Sequence, residues 1–158
     1  MNELKRVSLY NIHKELGAKL VEFAGWEMPL EYEGINKEHE KVRKSAGIFD
    51  VSHMGEVQIK GAESEKFIQN LVTNDISTLK INDIIYTPMC YENGGVVDDF
   101  LIYKFGEEDY LLVINAGNID KDVAWIIKQS EGYNVDIKNI SSEVSQLAIQ
   151  GPKAEEIL

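Results

Sequence analysis

The stretch Gly94-Gly95-Val96-Val97-Asp98-Asp99-Phe100-Leu101-Ile102-Tyr103 constrains the fold of this 158-residue chain more than any other. Two glycines allow a tight turn. The Val-, Phe-, Ile- and Tyr-rich run after them has the composition of a strand. Two adjacent carboxylates stand at its start. Side chains alternate faces along a strand, so Asp98 and Asp99 point opposite ways. Asp99 is expected to share a face with Val97, Leu101, Tyr103 and Phe105, and Asp98 with Val96, Phe100, Ile102 and Lys104. Both faces are largely apolar, so at least one Asp is expected where water is scarce. A buried carboxylate is costly unless it is hydrogen-bonded or its pKa rises. Either a site carboxylate or an Asp that caps the Gly-Gly turn fits this pattern, the cap suiting Asp98 better than Asp99.

The length suits one domain, residues 1–158, with a sizeable core. No apolar run approaches the roughly 20 residues that span a bilayer, and the first residues lack an apolar signal core. A bacterial cytoplasm or a mitochondrial matrix is the expected location. A formal net charge of −11 argues against nucleic-acid binding. One cysteine, Cys90, leaves no disulfide framework and no multi-cysteine metal site, so no metal is expected.

Taken in order, Ser8 can cap a short helix over Leu9 to Leu16 that Gly17 closes, with His13 a packing or surface residue. Ala18 to Phe23 reads as a strand. Ala24 to Tyr32, punctuated by Gly25 and Pro29, reads as a loop. Ile35 to Ala46 reads as a charged helix ended by Gly47. Asp50, Ser52 and His53 fall in a polar turn before a strand that runs to Lys60. An Asx/Ser turn accounts for them, and consecutive positions do not make a nucleophilic triad. Gly61 to Val72 reads as an amphipathic helix with Phe67, Ile68 and Leu71 inward.

Pro88 marks the strand Ile84 to Tyr91 as an edge or a bulge. The strand that runs to Phe105 forms a hairpin with Tyr110 to Asn115. Ile119 to Gln129 reads as a helix capped by Asn118 or Asp120. Two strands follow, Val135 to Ile140 and Val144 to Gln150, and Gly151-Pro152 opens a last helix. No linker or repeat appears. This order predicts an α+β fold with a mainly antiparallel sheet and split β-α-β elements of the ferredoxin-like kind. The last helix stops mid-pattern, which reads as a chain cut within an element.

Four motifs occur in a telling order: Phe23-Ala24-Gly25-Trp26-Glu27-Met28-Pro29, Gly47-Ile48-Phe49-Asp50-Val51-Ser52-His53-Met54-Gly55, Gly94-Gly95-Val96-Val97-Asp98-Asp99 and Gln150-Gly151-Pro152. In order and spacing they resemble the aminomethyltransferase (T-protein) family of the glycine cleavage system, along nearly the whole chain. The resemblance implies the first part of a folate-binding, barrel-like domain, whose members continue well past this end into further domains. It implies transfer of a one-carbon unit from the lipoyl arm of the H-protein to tetrahydrofolate, with release of ammonia. It implies that Asp99 lies at the reactive nitrogens of the folate. Met54, Tyr86, Leu101, Tyr103, Val113 and Asn115 match residues that line the family's folate cavity. Tyr103 stands two residues from Leu101 and four from Asp99, so strand alternation independently puts these three on one face. The face of Val113 and Asn115 depends on the hairpin register. The arginine and glutamate that complete the family's folate site belong to later sequence.

Two other readings stand beside this one. A folate-dependent demethylase or oxidase domain, or a folate-binding iron–sulfur assembly factor, would share the fold. An inert structural domain would need no ligand. The Asp98-Asp99 pair and Val51-Ser52-His53-Met54 favour the transferase. The chain alone is expected to be inactive and to form a homo-oligomer through apolar surface that further domains would cover.

Overall fold

A computed structural model describes residues 3–158. In chain order the elements are β1 (Lys5–Arg6), α1 (Tyr10–Glu15), β2 (Lys19–Phe23), β3 (Trp26–Glu31), α2 (Ile35–Lys44), β4 (Gly47–Asp50), β5 (Gly55–Lys60) and α3 (Ser64–Leu71). There follow β6 (Ile84–Cys90), β7 (Val96–Gly106), β8 (Asp109–Ile114), α4 (Ile119–Gln129), β9 (Asp136–Asn139), β10 (Leu147–Gln150) and α5 (Ala154–Ile157). Short 3-10 turns cover Ile76–Thr78 and Ala116–Asn118. No described helix is long and apolar enough to cross a membrane. The packing divides the chain into two compact units, Met1–His53 with Ser145–Leu158, and Met54–Val144. The second is inserted in the sequence of the first, which explains why no linker marks either boundary.

In the first unit, β3 lies between β1 and β2, and β4 pairs antiparallel with β10. The expected loop over Ala24 to Tyr32 is therefore corrected: Trp26–Glu31 is a strand. Pro29 is tolerated there because β1 pairs only with Trp26 and Glu27, so beyond them β3 has one neighbour, β2. Ser8 does not cap α1; its hydroxyl meets Ser145 Oγ at 2.7 Å. His13 is buried between Tyr32 Oη at 2.7 Å and Asp50 Oδ2 at 2.8 Å. The Asx turn is present, with the Ser52 N–H donating to Asp50 Oδ1 at 2.9 Å.

The second unit holds an antiparallel five-stranded sheet in the order β6-β7-β8-β5-β9. Read as β9-β5-β8-β7 with helices α3 and α4, it is the split β-α-β arrangement of ferredoxin-like folds, with β6 added at the edge. The sheets of the described residues are open, so the expected barrel-like element is not a closed barrel. One sheet face carries Val57, Ile59, Ile102, Leu112 and Ile114, all fully buried against Phe67, Ile68 and Leu71 of α3 and Ile126 of α4. Each such side chain contributes roughly 1.5–3 kcal/mol relative to exposure. That packing leaves the opposite sheet face free of these two helices.

Candidate functional site

The candidate site is built on β7, at the end nearest the Gly-Gly turn. Gly94 sits at φ +84°, a conformation that favours glycine, and the Gly95 N–H donates to Asn93 Oδ1 at 3.0 Å. Asn93, not Asp98, therefore caps the turn. The register then slips by one residue: Asp98 pairs with Met89, whereas Val96 pairs with Cys90. Val97 is the extra residue of a β-bulge. Alternation is broken there, so Val97 is buried in the core and Val96 is 63% exposed, the reverse of the expected facing. Beyond the bulge the alternation holds, and Asp98 and Asp99 point to opposite faces.

Asp98 points to the helix side. Its Oδ1 accepts from the Asp99 N–H at 2.9 Å and from Asn115 Nδ2 at 2.9 Å, and its Oδ2 accepts from Asn118 Nδ2 at 2.9 Å. Burial alone would push this carboxyl up. The hydrogen bonds of Asn118, the Asp99 amide and Asn115, with the neighbouring Asp122 carboxyl, outweigh it and hold Asp98 below the usual carboxylate range. Asn118 precedes α4 but makes no side-chain cap on it; its amide is committed to Asp98 instead.

Asp99 points to the face free of helices. Tyr86 Oη donates to Asp99 Oδ2, and Asn115 Nδ2 lies 3.0 Å from the Asp99 carbonyl and 3.2 Å from Oδ1. The phenol of Tyr86 is held above its usual value, first by this hydrogen bond and then by burial. Both side-chain neighbours of Asp99 offer donors, the pattern a carboxylate accepts.

The hairpin register decides the positions that alternation alone left open. Leu101 pairs with Val113 and Tyr103 with Leu111, and on the other side Tyr86 pairs with Leu101. Directly opposed residues share a face, so Tyr86, Asp99, Leu101, Tyr103 and Val113 lie together. Val113 is buried and Tyr86 is 60% exposed. Asn115 leaves β8 just past Ile114 and touches both aspartates. Met54 precedes Gly55, whose partner is Ile114, so it stands at the same end of the sheet. No hydrogen bond or paired register ties Met54 directly to Asp99.

Two polar residues next to the pair were missed in the sequence, Asn118 as a ligand of Asp98 and Asp122. Asp122 is fully buried on α4. Burial, then the hydrogen bond and charge of Asp98, push its carboxyl up to about 7, against the opposing effect of Lys121. The signal was available: Asp122 lies three residues after Ile119 and four before Ile126, on the apolar stripe of the helix. Among the described residues, no group of three or more His, Cys, Asp or Glu is placed to hold a metal.

The fold and site define an α+β domain of ferredoxin-like topology with a strand-borne aspartate pair. Residues 9–158 match the family described as the GCVT N-terminal domain, and the chain belongs to that family. It is 58% identical over its whole length to an aminomethyltransferase of Alkaliphilus oremlandii and 54% identical to one of Thermoanaerobacter pseudethanolicus. The chain spans 43% of the length of each. The crystal structure of glycine cleavage system aminomethyltransferase T from Bartonella henselae superposes with a TM-score of 0.88 at 36% identity, over 98% of this chain and 43% of that one.

Proposed function

We propose that the chain carries the Asp99 half of the substrate site of a tetrahydrofolate-dependent aminomethyltransferase of the glycine cleavage system. In the whole protein, an aminomethyl group arrives on the lipoyl arm of the H-protein. Its carbon–sulfur bond breaks to leave the thiol on the arm, its carbon–nitrogen bond breaks to release ammonia, and the carbon bridges two tetrahydrofolate nitrogens whose two protons end on the thiol and the ammonia. The single observation that supports this most is Asp99, held by Tyr86 and Asn115 on a sheet face that also carries Leu101, Tyr103 and Val113.

That face fits a folate. Leu101 offers an apolar contact for a flat heterocycle over the buried Val113 paired with it, and Tyr86 and Tyr103 add aromatic bodies with polar tips. Tetrahydrofolate supplies the amine that takes up the carbon and must lose a proton. Each Asp99 oxygen has one side-chain donor, which leaves a lone pair on each for the incoming N–H. Asp99 accepts that proton and stabilises positive charge on the transferring group. Tyr86 and Asn115 hold the carboxylate in place, and Met54 stands at the same end of the sheet.

The test uses the full-length protein with aminomethyl-loaded H-protein. Ammonia release should depend on tetrahydrofolate and match methylenetetrahydrofolate formed one for one. Release at the same rate without folate would refute the reading. A bacterial cytoplasm is the setting we propose, in line with the bacterial sources of the relatives.

A further inference from the structure

We infer that Asp122 is a positioning residue for Asp99: it holds a proton that it donates to Asp98, and through Asp98 it fixes Asn115, Asn118 and the Asp99 amide. The inference rests on the proposed role of Asp99, but its geometry does not.

Asp122 is fully buried, and neither of its carboxyl oxygens meets a hydrogen-bond donor. Lys121 does not serve as one. Its Nζ lies at ion-pair distance, 3.5 Å from Asp122 Oδ1, without a hydrogen bond to it, and donates to the Val97 carbonyl at 2.5 Å. Asp98 is the neighbouring carboxylate: Asn118, one turn before Asp122, donates to it at 2.9 Å, and it accepts from three amide groups in all. Two buried carboxylates side by side, without a donor between them, are strongly unfavourable. One shared proton removes the conflict. It belongs on Asp122, because Asp98 already has its donors and Asp122 has none. The elevated pKa of Asp122 agrees with this placement.

The chain of contacts is then continuous. Asp122 O–H donates to Asp98, whose Oδ1 receives the Asp99 N–H and Asn115 Nδ2. The same Asn115 amide reaches the Asp99 carboxylate on the other face. Removing the proton puts a second charge beside Asp98 and loosens the tie that aims Asp99. The charged and titratable groups that face Asp122 are Asp98 on β7 and Lys121 on its own helix, with the amides of Asn115 and Asn118 at the entry to α4.

The test uses the full-length protein with 15N-labelled asparagine. The side-chain amide resonances of Asn115 and Asn118 are followed from about pH 5.5 to about pH 9, a range that brackets a buried acid of raised pKa. In the unmodified protein both should move together with one midpoint near neutrality. In Asp122→Asn, which keeps a donor but cannot titrate, both should stay flat. Amides that are flat in the unmodified protein, or that titrate identically in Asp122→Asn, overturn the inference. In turnover, Asp122→Asn should retain kcat to within about threefold and lose the alkaline decline. Asp122→Ala should lower kcat about a hundredfold, the scale of a misaimed catalytic group, with KM nearly unchanged. Unchanged kcat in a folded Asp122→Ala protein also overturns it. Amides that titrate as described in a protein without folate-dependent transfer would instead refute the proposed function and leave the Asp122–Asp98 device standing.

Discussion

Asn115 Nδ2 lies 2.9 Å from Asp98 Oδ1 and 3.2 Å from Asp99 Oδ1, so one amide ties together two carboxylates on opposite faces of the same strand. Its two hydrogens are shared among these and the Asp99 carbonyl. Asn115→Leu keeps the size and removes both donors. The acceptors it leaves should cost about 1–3 kcal/mol of stability. Urea denaturation measures that loss. Turnover should fall further than stability alone explains, because Asp99 loses one of its two side-chain anchors.

How far this arrangement was legible in the sequence differs from residue to residue. Strands β7 and β8 and helix α4 follow from β-branched alternation, from the Gly-containing loop and from the repeat of Val123, Ile126 and Ile127, although Ile127 is exposed. The edge position of β6 follows from Pro88. The bulge at Val97 does not, because Val96 and Val97 are equally apolar and either fits either face. Strand β3 was hidden by Pro29, which is read as a breaker unless the pairing partner is known. His13 found two partners 19 and 37 residues away, and local pattern carries no information on contacts of that range. Asn118 and Asp122 look like an ordinary cap and first-turn acid until the bulge aims Asp98 at them.

Gly55 should tolerate no side chain. A Cβ there would stand 2.7 Å from Ile119 Cγ1 and 2.8 Å from Ile114 Cγ1. These atoms belong to stiff β-branched residues, the partly buried Ile119 at the start of α4 and the buried Ile114 at the end of β8. Gly55→Ala should therefore destabilise by about 1–3 kcal/mol through overpacking. Thermal unfolding of the variant beside the unmodified protein checks it, and an unchanged midpoint would count against the close contact.

Glu56 gives the stability of the fold a dependence on pH. It is 3% exposed, neither oxygen has a partner, and burial pushes its carboxyl up to about 7. The folded state therefore holds a proton that the unfolded state releases near its ordinary value of 4.5. The stabilisation is fully present below pH 4.5 and is lost as pH rises through about 7. At roughly 1.4 kcal/mol per pKa unit, the loss is at most about 3.5 kcal/mol. Glu56→Gln should remove this slope and be the more stable protein at alkaline pH. Denaturant midpoints across the range measure it, and parallel curves for the two proteins would contradict it.

In the proposed reaction the Asp99 carboxylate takes up the proton lost when the one-carbon unit is transferred. Asp99→Asn keeps the shape and both faces of β7 and removes the base. Single-turnover transfer from aminomethyl-loaded H-protein to tetrahydrofolate, measured with full-length Asp99→Asn, tests this most directly. The rate should fall about a hundredfold or more, within the range for loss of a general base, in a protein that unfolds at the same denaturant concentration as the unmodified one. A transfer rate equal to that of the unmodified protein would contradict it.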